Sequence, residues 1–278
     1  FIFFDDSLVY CKNNTLILDL KVSILIQARL SSQRLPGKIL YKLGASNYNS
    51  LLLIAKRLET FRYGMEIVIL TSTEKCDDAI EFFANKNKIK CFRGSHKDVL
   101  QRYFDCSTYL KSNTIIRLTS DCPFIDPKEI KRVLEIHNKN NNDYTTNTFE
   151  GSTIVDGFDV EVFSYEALKR AAKEAFLPSH REHVTFYFKK ENNFKIEFTD
   201  PKLDFPYTRL TLDTPEDYEA ISKLIEKIDD VENCQMREIV SIFYKYEFNK
   251  INFKIGKNLG WVNSLIEDKA HNKKNKKN

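Results

Sequence analysis

The chain has 278 residues, of which 42% are hydrophobic and 29% charged, and its formal net charge is +4. The composition is ordinary for a globular protein, and the length suits one large α/β domain or two small ones. Five lysines and no acid lie in the last ten residues, so the positive charge belongs to a tail. A nucleic-acid partner is therefore not expected.

The cysteine spacing and the hydropathy of the chain indicate the cellular compartment in which it is expected. The six cysteines are scattered without a C-x-x-C pair, which excludes the usual zinc spacings and a disulfide framework. No apolar run approaches the ~18 residues needed to span a membrane. We expect a cytoplasmic protein without a membrane partner. Residues 1–20 are predicted to be an extension of no assigned function, residues 21–268 the main domain, and residues 269–278 a disordered basic tail.

Strands and helices alternate in the first half of the chain. Short apolar runs predict strands at residues 22–27, 66–71, 89–92 and 114–118. Helical apolar spacing predicts helices at residues 50–58, 77–86 and 98–109, and a fourth beginning at Pro127. This alternation with short links predicts an α/β fold with a doubly wound, mostly parallel sheet and helices on both faces.

The second half has a looser pattern. Strands are predicted at residues 143–147, 157–163, 194–198 and 208–212, and helices at residues 165–175, 180–190 and 215–228. Thr214 is the expected cap of the last helix. Since no linker rich in Gly, Pro or Ser divides the chain, one domain is preferred.

The segment after the first strand is strongly basic. Arg29, Arg34 and Lys38 lie there without any acid, together with hydroxyls from Ser31 and Ser32. Ligands of a doubly wound sheet bind beyond the carboxyl ends of its strands, and three cations suit a triphosphate. The segment is neither a Walker loop nor a dinucleotide-binding loop. A solvated basic loop is the alternative on composition alone.

Two aspartates follow predicted strands. Asp121 comes after the strand at residues 114–118 and Asp213 after the strand at residues 208–212, so both could reach one edge of the sheet. Mg²⁺ prefers one or two carboxylates together with phosphate oxygens and water; turn formation is the alternative role. Because nearby carboxylates repel, loss of either is expected to leave stability unchanged or raised.

A second pair of acids alternates along a predicted strand. Asp159 and Glu161 are separated by one apolar residue, which places both carboxylates on one face. That face could line a polar pocket or be solvated. Arg181 and His183 lie on the predicted helix at residues 180–190, where an arginine could hold a carboxylate of a substrate.

Several of these segments resemble the cytidylyltransferase family. Residues 27–38 resemble its R-x-G-S-x-R-L-P-G-K motif, and residues 117–126 resemble R-x-T-G-D-C-P-L-I-D. Matching segments of the family also occur, in the expected order, at residues 92–103, 157–163, 181–185, 212–217 and 258–265. The resemblance runs from about Val22 to Asp268. It is closest to the branch named for spore coat polysaccharide biosynthesis, in a family that includes 3-deoxy-manno-octulosonate and N-acylneuraminate cytidylyltransferases.

The resemblance implies a nucleotide-diphospho-sugar transferase-like fold and a magnesium-dependent nucleotidyltransferase. Such an enzyme would make an NMP-sugar and pyrophosphate from an NTP, here CTP, and a small acidic sugar. Nucleotide binding is implied for Ala28, Arg29, Ser31, Ser32, Arg34 and Lys38, metal binding for Asp121 and Asp213, and sugar binding for Asp159, Glu161, Arg181 and His183. Catalytic roles are implied for Arg29, Arg34, Lys38 and Asp121. A homodimer is left open.

The chain departs from the family pattern at three places. Ser31 and Ser120 stand where the family has glycine, and residues 43–50 are about two residues longer. A nucleotide-sugar-dependent glycosyltransferase and a non-catalytic nucleotide-binding protein of a polysaccharide pathway are the alternatives. The basic first loop and the absence of a D-x-D sequence at Asp121 are unusual for the former. The two serines motivate the latter.

Overall fold

The computed structural model describes residues 21–59, 61, 64–191, 193–205, 207–255 and 268. The predicted extension at residues 1–20 and the predicted basic tail at residues 269–278 lie outside the described residues. Within the described part, no helix is long and apolar enough to cross a bilayer.

The described chain is organised around one seven-stranded sheet. Its strands are β1 (Val22–Gln27), β2 (Glu66–Ser72), β3 (Lys90–Gly94), β4 (Thr114–Thr119), β5 (Tyr144–Thr146), β6 (Glu161–Ser164) and β7 (Ile196–Phe198). The order across the sheet is β3-β2-β1-β4-β6-β5-β7. All strand pairs are parallel except β4–β6 and β5–β6, which are antiparallel. The predicted doubly wound, mostly parallel sheet is confirmed.

Ten helices of the described chain surround this sheet. They are α1 (Ser50–Glu59), α2 (Asp78–Lys86), α3 (Val99–Leu110), α4 (Pro127–Asn140), α5 (Tyr165–Glu174), α6 (Pro178–His183), α7 (Phe186–Lys190), α8 (Pro215–Ile225), α9 (Met236–Lys245) and α10 (Asn249–Asn252). Short 3-10 turns cover Lys38–Leu40 and Lys75–Asp77.

Alternating side chains of the central strand divide the core into two layers. Ile24 and Ile26 pack with α1, α2 and α4 on one face, whereas Leu25 packs with α3 and α5 on the other. Helices on both faces, as predicted, follow from this alternation because both sides of β1 are apolar and need cover. A third cluster joins α8 and α9 to the loops that carry Phe158 and Leu210.

Three predicted elements differ clearly in the structure. The predicted strand at residues 157–163 begins only at Glu161, as β6, so Asp159 lies in the loop before that strand. The predicted helix at residues 180–190 is split into α6 and α7, because Val184 has φ 57° and ψ −63°. The predicted strand at residues 208–212 is extended but forms only one bridge, between Arg209 and Asp156. Since only a loop passes beside that segment, its backbone finds no strand with which to form a ladder.

Candidate active site

Three charged segments meet near the carboxyl edge of the parallel strands. The basic loop follows β1, Asp121 follows β4, and Asp213 lies just before α8. The Leu212 N–H donates to the Asp121 carbonyl oxygen at 2.7 Å. This bond brings the backbones of the two aspartates side by side, although they are far apart in sequence.

Lys38 lies between the two aspartates. Its Nζ is 2.5 Å from Asp213 Oδ1 and 3.6 Å from Asp121 Oδ2, and its side chain is only 8% exposed. Arg34 also donates to the Asp213 carboxylate. The structure therefore brings together two of the loop cations and both of the predicted metal-binding acids.

The cations keep Asp213 ionised. Burial alone would raise the pKa of its carboxyl, but Lys38 and Arg34 outweigh burial and hold the pKa below its ordinary value. Arg209 adds a third positive charge at 3.5 Å. The expectation that loss of Asp213 would leave stability unchanged or raised is therefore revised. Neutralising it would leave partly buried cations without their counter-charge.

Arg209 was not predicted from the sequence. Its guanidinium is 3.0 Å from Asp156 Oδ2 and 3.0 Å from Asp217 Oδ1, and its side chain is 5% exposed. Asp217 also forms a capping box with Thr214 at the start of α8. This network fixes the segment that carries Asp213. The sequence signal for it was a single charged residue in the otherwise uncharged, strand-like segment at residues 208–212.

A polar cavity of about 160 Å³ lies next to β4 and β6. It is lined by Arg117, Thr119, Thr148, Asp159, Glu161, His183, Thr185, Phe186 and Lys189. Three of the four residues predicted to bind a sugar are therefore gathered in one cavity. Lys189 was not predicted, because α7 carries no motif that marks it.

Glu161 is held by donors on several sides. Arg117 donates to one carboxylate oxygen, while the hydroxyls of Thr185 and Tyr144 donate to the other at 2.6 and 2.5 Å. Lys189 Nζ is 3.7 Å away. Although burial alone would raise the pKa of Glu161, these partners lower it to about 2. The carboxylate is thus ionised and its charge is compensated within the protein.

Asp159 has a different environment in the same cavity. Its Oδ1 accepts a hydrogen bond from Thr148 Oγ1 at 2.9 Å, and within the described residues no ion pair to it is found. Burial, followed by the nearby Asp156 carboxylate, raises its pKa to about 7. The cavity therefore contains one carboxyl group that can exchange a proton near neutral pH.

Asp159→Asn is expected to raise the melting temperature near neutral pH. The folded carboxyl titrates at about 7 and the ordinary value is 3.8, so the folded state holds a proton that the unfolded chain releases. Stability attributable to this group thus falls as the pH rises through this window. Thermal unfolding from about pH 4 to about pH 7 should show a shallower decline for the variant than for the unaltered chain. Parallel curves would contradict the raised pKa.

The turn at Val184 orients two residues of the cavity. The Thr185 N–H donates to the His183 carbonyl oxygen at 2.5 Å, which, with the dihedral angles of Val184, makes a γ-turn of the rare, strained type. Both His183 and Thr185 line the cavity as a result. Burial lowers the pKa of the His183 imidazole, so this ring is neutral at neutral pH.

Arg181 is placed differently from the other predicted sugar-binding residues. It is not among the residues that line the cavity in the described part of the chain. Its Nε lies 2.9 Å from both carboxylate oxygens of Asp98, and its Nη1 is 2.7 Å from the Ala172 carbonyl oxygen. Arg181 therefore ties α6 to the start of α3 and to α5, and its guanidinium is engaged there.

The remaining loop residues have mixed surroundings. The Ala28 side chain is buried, and its N–H donates to the Leu70 carbonyl oxygen at 3.0 Å. Ser32 Oγ accepts from the Leu35 N–H at 3.4 Å. Ser31 is exposed, and Arg29 is half-exposed with Nη2 3.5 Å from Glu182. Arg29 is thus the loop cation that faces α6 rather than Asp213.

The cavity and the basic loop are joined by one side chain. Arg117 donates to Glu161 in the cavity and, through Nη2, to Gln27 Oε1 at 3.1 Å. Gln27 is the last residue of β1, immediately before the basic loop. A ligand with phosphates on the loop and a second group in the cavity would therefore span adjacent sites.

A family model for cytidylyltransferases matches residues 23–251. The chain belongs to the cytidylyltransferase family. An uncharacterized protein of Methanocaldococcus jannaschii is 35% identical over 229 residues, covering 81% of this chain and 91% of that protein. The spore coat polysaccharide biosynthesis protein SpsF of Bacillus subtilis is 32% identical over 230 residues, which cover 80% of this chain and 93% of SpsF.

Solved structures agree with this membership. A cytidylyltransferase from Leptospira borgpetersenii is 33% identical, with a TM-score of 0.78, covering 86% of this chain and 99% of that one. CMP:2-keto-3-deoxy-manno-octonic acid synthetase complexed with CTP is 15% identical, with a TM-score of 0.56, and the match covers 74% of this chain and 99% of that one. The second similarity shows a shared fold.

The departures from the cytidylyltransferase pattern are accommodated locally. Neither Ser31 nor Ser120 has a positive φ, so the backbone conformation at these positions does not call for glycine. In the longer segment at residues 43–50, the Ala45 N–H donates to Glu226 Oε1 at 2.8 Å and the Tyr48 hydroxyl to Glu232 Oε1 at 2.5 Å. The extra length therefore packs against the chain around the end of α8, and the serines give no reason to expect an inactive protein.

The two acids beside Lys38 have the donor chemistry that a magnesium ion takes. Within the described residues there is no group of three or more potential metal ligands, but Mg²⁺ often uses one or two carboxylates and completes its shell with phosphate and water. The Lys38 ammonium already lies within 3.6 Å of both Asp121 and Asp213. One cation therefore already reaches both carboxylates, and these two oxygen donors, completed by phosphate and water, fit the ligand set of Mg²⁺.

Proposed function

We propose that this chain transfers the cytidylyl group of CTP to a hydroxyl of a sugar, releasing pyrophosphate. The observation that carries the proposal is the junction of the basic loop, the Asp121–Lys38–Asp213 cluster and the polar cavity at one edge of the sheet. Membership of the cytidylyltransferase family supports nucleotidyl transfer over glycosyl transfer.

The basic loop is the proposed triphosphate site. Arg29 and Arg34 offer planar guanidinium donors and Lys38 a point charge, which are the side chains that bind phosphate oxygens. Arg34 and Lys38 are positioned by Asp213 before any ligand arrives. Such preorganised charges stabilise the transition state of phosphoryl transfer, a reaction in which the protein performs little covalent chemistry.

Asp121 and Asp213 would hold Mg²⁺ at this site. When bound, the ion would offset the charge of the triphosphate and polarise its phosphoryl oxygens. The carboxylates fix its place relative to Lys38, and Arg209 fixes the segment that carries Asp213.

The polar cavity is the proposed sugar site. Asp159 would accept the hydrogen bond of the attacking hydroxyl and, with its pKa of about 7, take the proton as the oxygen bonds to the α-phosphorus. The bond between that phosphorus and the bridging oxygen breaks, and pyrophosphate leaves. Arg181 does not line the cavity and is tightly paired with Asp98. We therefore assign the carboxylate of an acidic sugar to Lys189, which lines the cavity and whose ion pair to Glu161 is long, at 3.7 Å.

CTP is expected to be used in preference to ATP, GTP and UTP. Pyrophosphate release measured with each nucleotide and a panel of acidic and neutral sugars tests this, and mass spectrometry of the products identifies the sugar. Preference for a purine nucleotide would contradict the proposal for CTP. Absence of pyrophosphate release with every pair would contradict nucleotidyl transfer itself.

A further inference from the structure

Asp77 is a buried carboxylate outside the cluster and the cavity described above. It has no exposed surface and lies between β2 and α2, at the position that precedes the first residue of α2. Aspartate at this position ordinarily caps its own helix by accepting a backbone N–H. Here the side chain makes no capping hydrogen bond to α2.

The Asp77 carboxylate instead contacts the loop after β1. Its Oδ1 accepts the Leu30 N–H at 2.8 Å, across 47 residues of sequence, and its Oδ2 accepts from the Ser72 hydroxyl. Within the described residues no ion pair to Asp77 is found. Burying a carboxylate without a paired cation costs free energy that hydrogen bonds must offset, and one of the hydrogen bonds to Asp77 is donated by the basic loop.

Leu30 is the centre of that loop's backbone. Its carbonyl oxygen accepts the N–H groups of Ser32 at 2.9 Å and Gly37 at 3.1 Å. The loop is thereby folded back on Leu30, with Arg34 between those two partners and Lys38 directly after Gly37. Both backbone polar groups of Leu30 are therefore hydrogen-bonded. Within the described residues, the Leu30 backbone is tied to a distant part of the chain by its hydrogen bond to Asp77, while the Leu30 side chain packs against the core.

We propose that Asp77 is a positioning residue for the triphosphate-binding loop, acting through the Leu30 amide. The inference rests on the proposed function, since it assumes that this loop binds phosphates. The carboxylate does not touch the ligand. It holds the turn of backbone from which Arg34 and Lys38 extend, so its loss would weaken nucleotide binding and leave the sugar site unaltered.

Asp77→Ala is expected to raise the KM and the dissociation constant for CTP by roughly 10- to 100-fold, the effect of losing a hydrogen bond to a charged group. The KM for the sugar should stay within about twofold, because in the described part of the chain the hydrogen-bond partners of Asp77 do not include any residue that lines the cavity and distant sites act independently. Asp77→Asn retains an acceptor for Leu30 and a donor for Ser72 and should recover most of the affinity. Faster hydrogen exchange at the Leu30 amide in Asp77→Ala, reversed in Asp77→Asn, is expected alongside.

The neighbouring Asp78 supplies a matched control. Its carboxylate is mostly exposed and pairs with Arg93 at 2.7 Å, so Asp78→Ala should leave the affinity for CTP unchanged. If Asp77→Ala does not fold, Ser72→Ala removes the donor that fixes the second Asp77 oxygen and should raise the dissociation constant for CTP to a smaller extent.

Calorimetric titration with CTP and with inorganic triphosphate separates the possible failures. An unaltered chain that binds neither would overturn the proposed function. An unaltered chain that binds CTP, with Asp77→Ala or Ser72→Ala binding it equally well, would overturn the positioning role alone. The positioning role would also be overturned if Asp77→Ala lowers the melting temperature while the KM for CTP and the hydrogen exchange of the Leu30 amide stay unchanged.

Discussion

Asp121→Asn is expected to reduce turnover by at least ~10²-fold, the scale of losing a preorganised electrostatic contact, with little change in melting temperature. The carboxylate makes one long ion pair, at 3.6 Å from Lys38, so its neutralisation disturbs the folded structure little. Steady-state turnover and thermal unfolding of the same preparation measure both effects. A merely turn-forming Asp121 would give the opposite pattern, with near-normal turnover in the folded fraction.

Asp213→Asn should lose turnover to a similar extent but also lose stability. Its carboxylate is shared by Lys38, Arg34 and Arg209, and leaving such partners unsatisfied lowers the free energy of unfolding by about 1–3 kcal/mol. If both acids hold one ion, the loss of turnover in the double variant should be much smaller than the product of the two single losses. A higher Mg²⁺ concentration should partly restore the turnover of each single variant. A folded Asp213→Asn enzyme with unchanged Mg²⁺ dependence would remove Asp213 from the metal site.

Glu161→Gln is expected to lower the free energy of unfolding by ~3–5 kcal/mol, because it leaves the buried Arg117 guanidinium without its negative partner. The two side chains are 14% and 9% exposed. The melting temperature should fall by roughly 6–20 °C, at about 2–4 °C for each kcal/mol. Chemical denaturation of the variant and the unaltered chain provides the measurement.

The sign of the pH dependence gives an independent check. The pKa of Glu161 is lowered to about 2 from 4.5, so its stabilising contribution is present above about pH 4.5 and disappears as the pH falls towards 2. The difference in free energy of unfolding between Glu161→Gln and the unaltered chain should therefore become smaller in acid. Glu59→Gln is the matched control, because Glu59 pairs with Lys56 on the surface at 3.0 Å and should change stability by less than about 1 kcal/mol.

Much of the fold could be predicted because its signals are local. The bounds predicted for β1 agree with the structure at both ends, since a buried strand of a parallel sheet is apolar throughout and stops at its first polar loop. Asp159 and Glu161 were expected on one face of a strand, and both line the cavity, although only Glu161 lies in β6.

The predictions that differ depend on contacts distant in sequence. Residues 180–190 carry a helical pattern, and the break comes from one strained residue, Val184. Residues 208–212 have a strand-like pattern, but a ladder requires a neighbouring strand, which a local pattern cannot reveal. Arg181 was grouped with His183 because both belong to the family-like segment at residues 181–185, yet the helix directs Arg181 to Asp98. Lys189 and Arg209 were missed because the folded chain alone shows what they face.

The separation of Lys38 from Asp213 has a consequence for the newly made chain. The two residues are 175 positions apart, and a ribosome adds about 5–20 residues per second. The basic loop emerges among the first parts of the sheet and then exists for roughly 10–35 s before its main counter-charge is synthesised. Strand β1 must also wait for β4 to cover its second edge. The ion pairs between Lys38 and the two aspartates can therefore form completely only late in synthesis, when the segment just before α8 has been made.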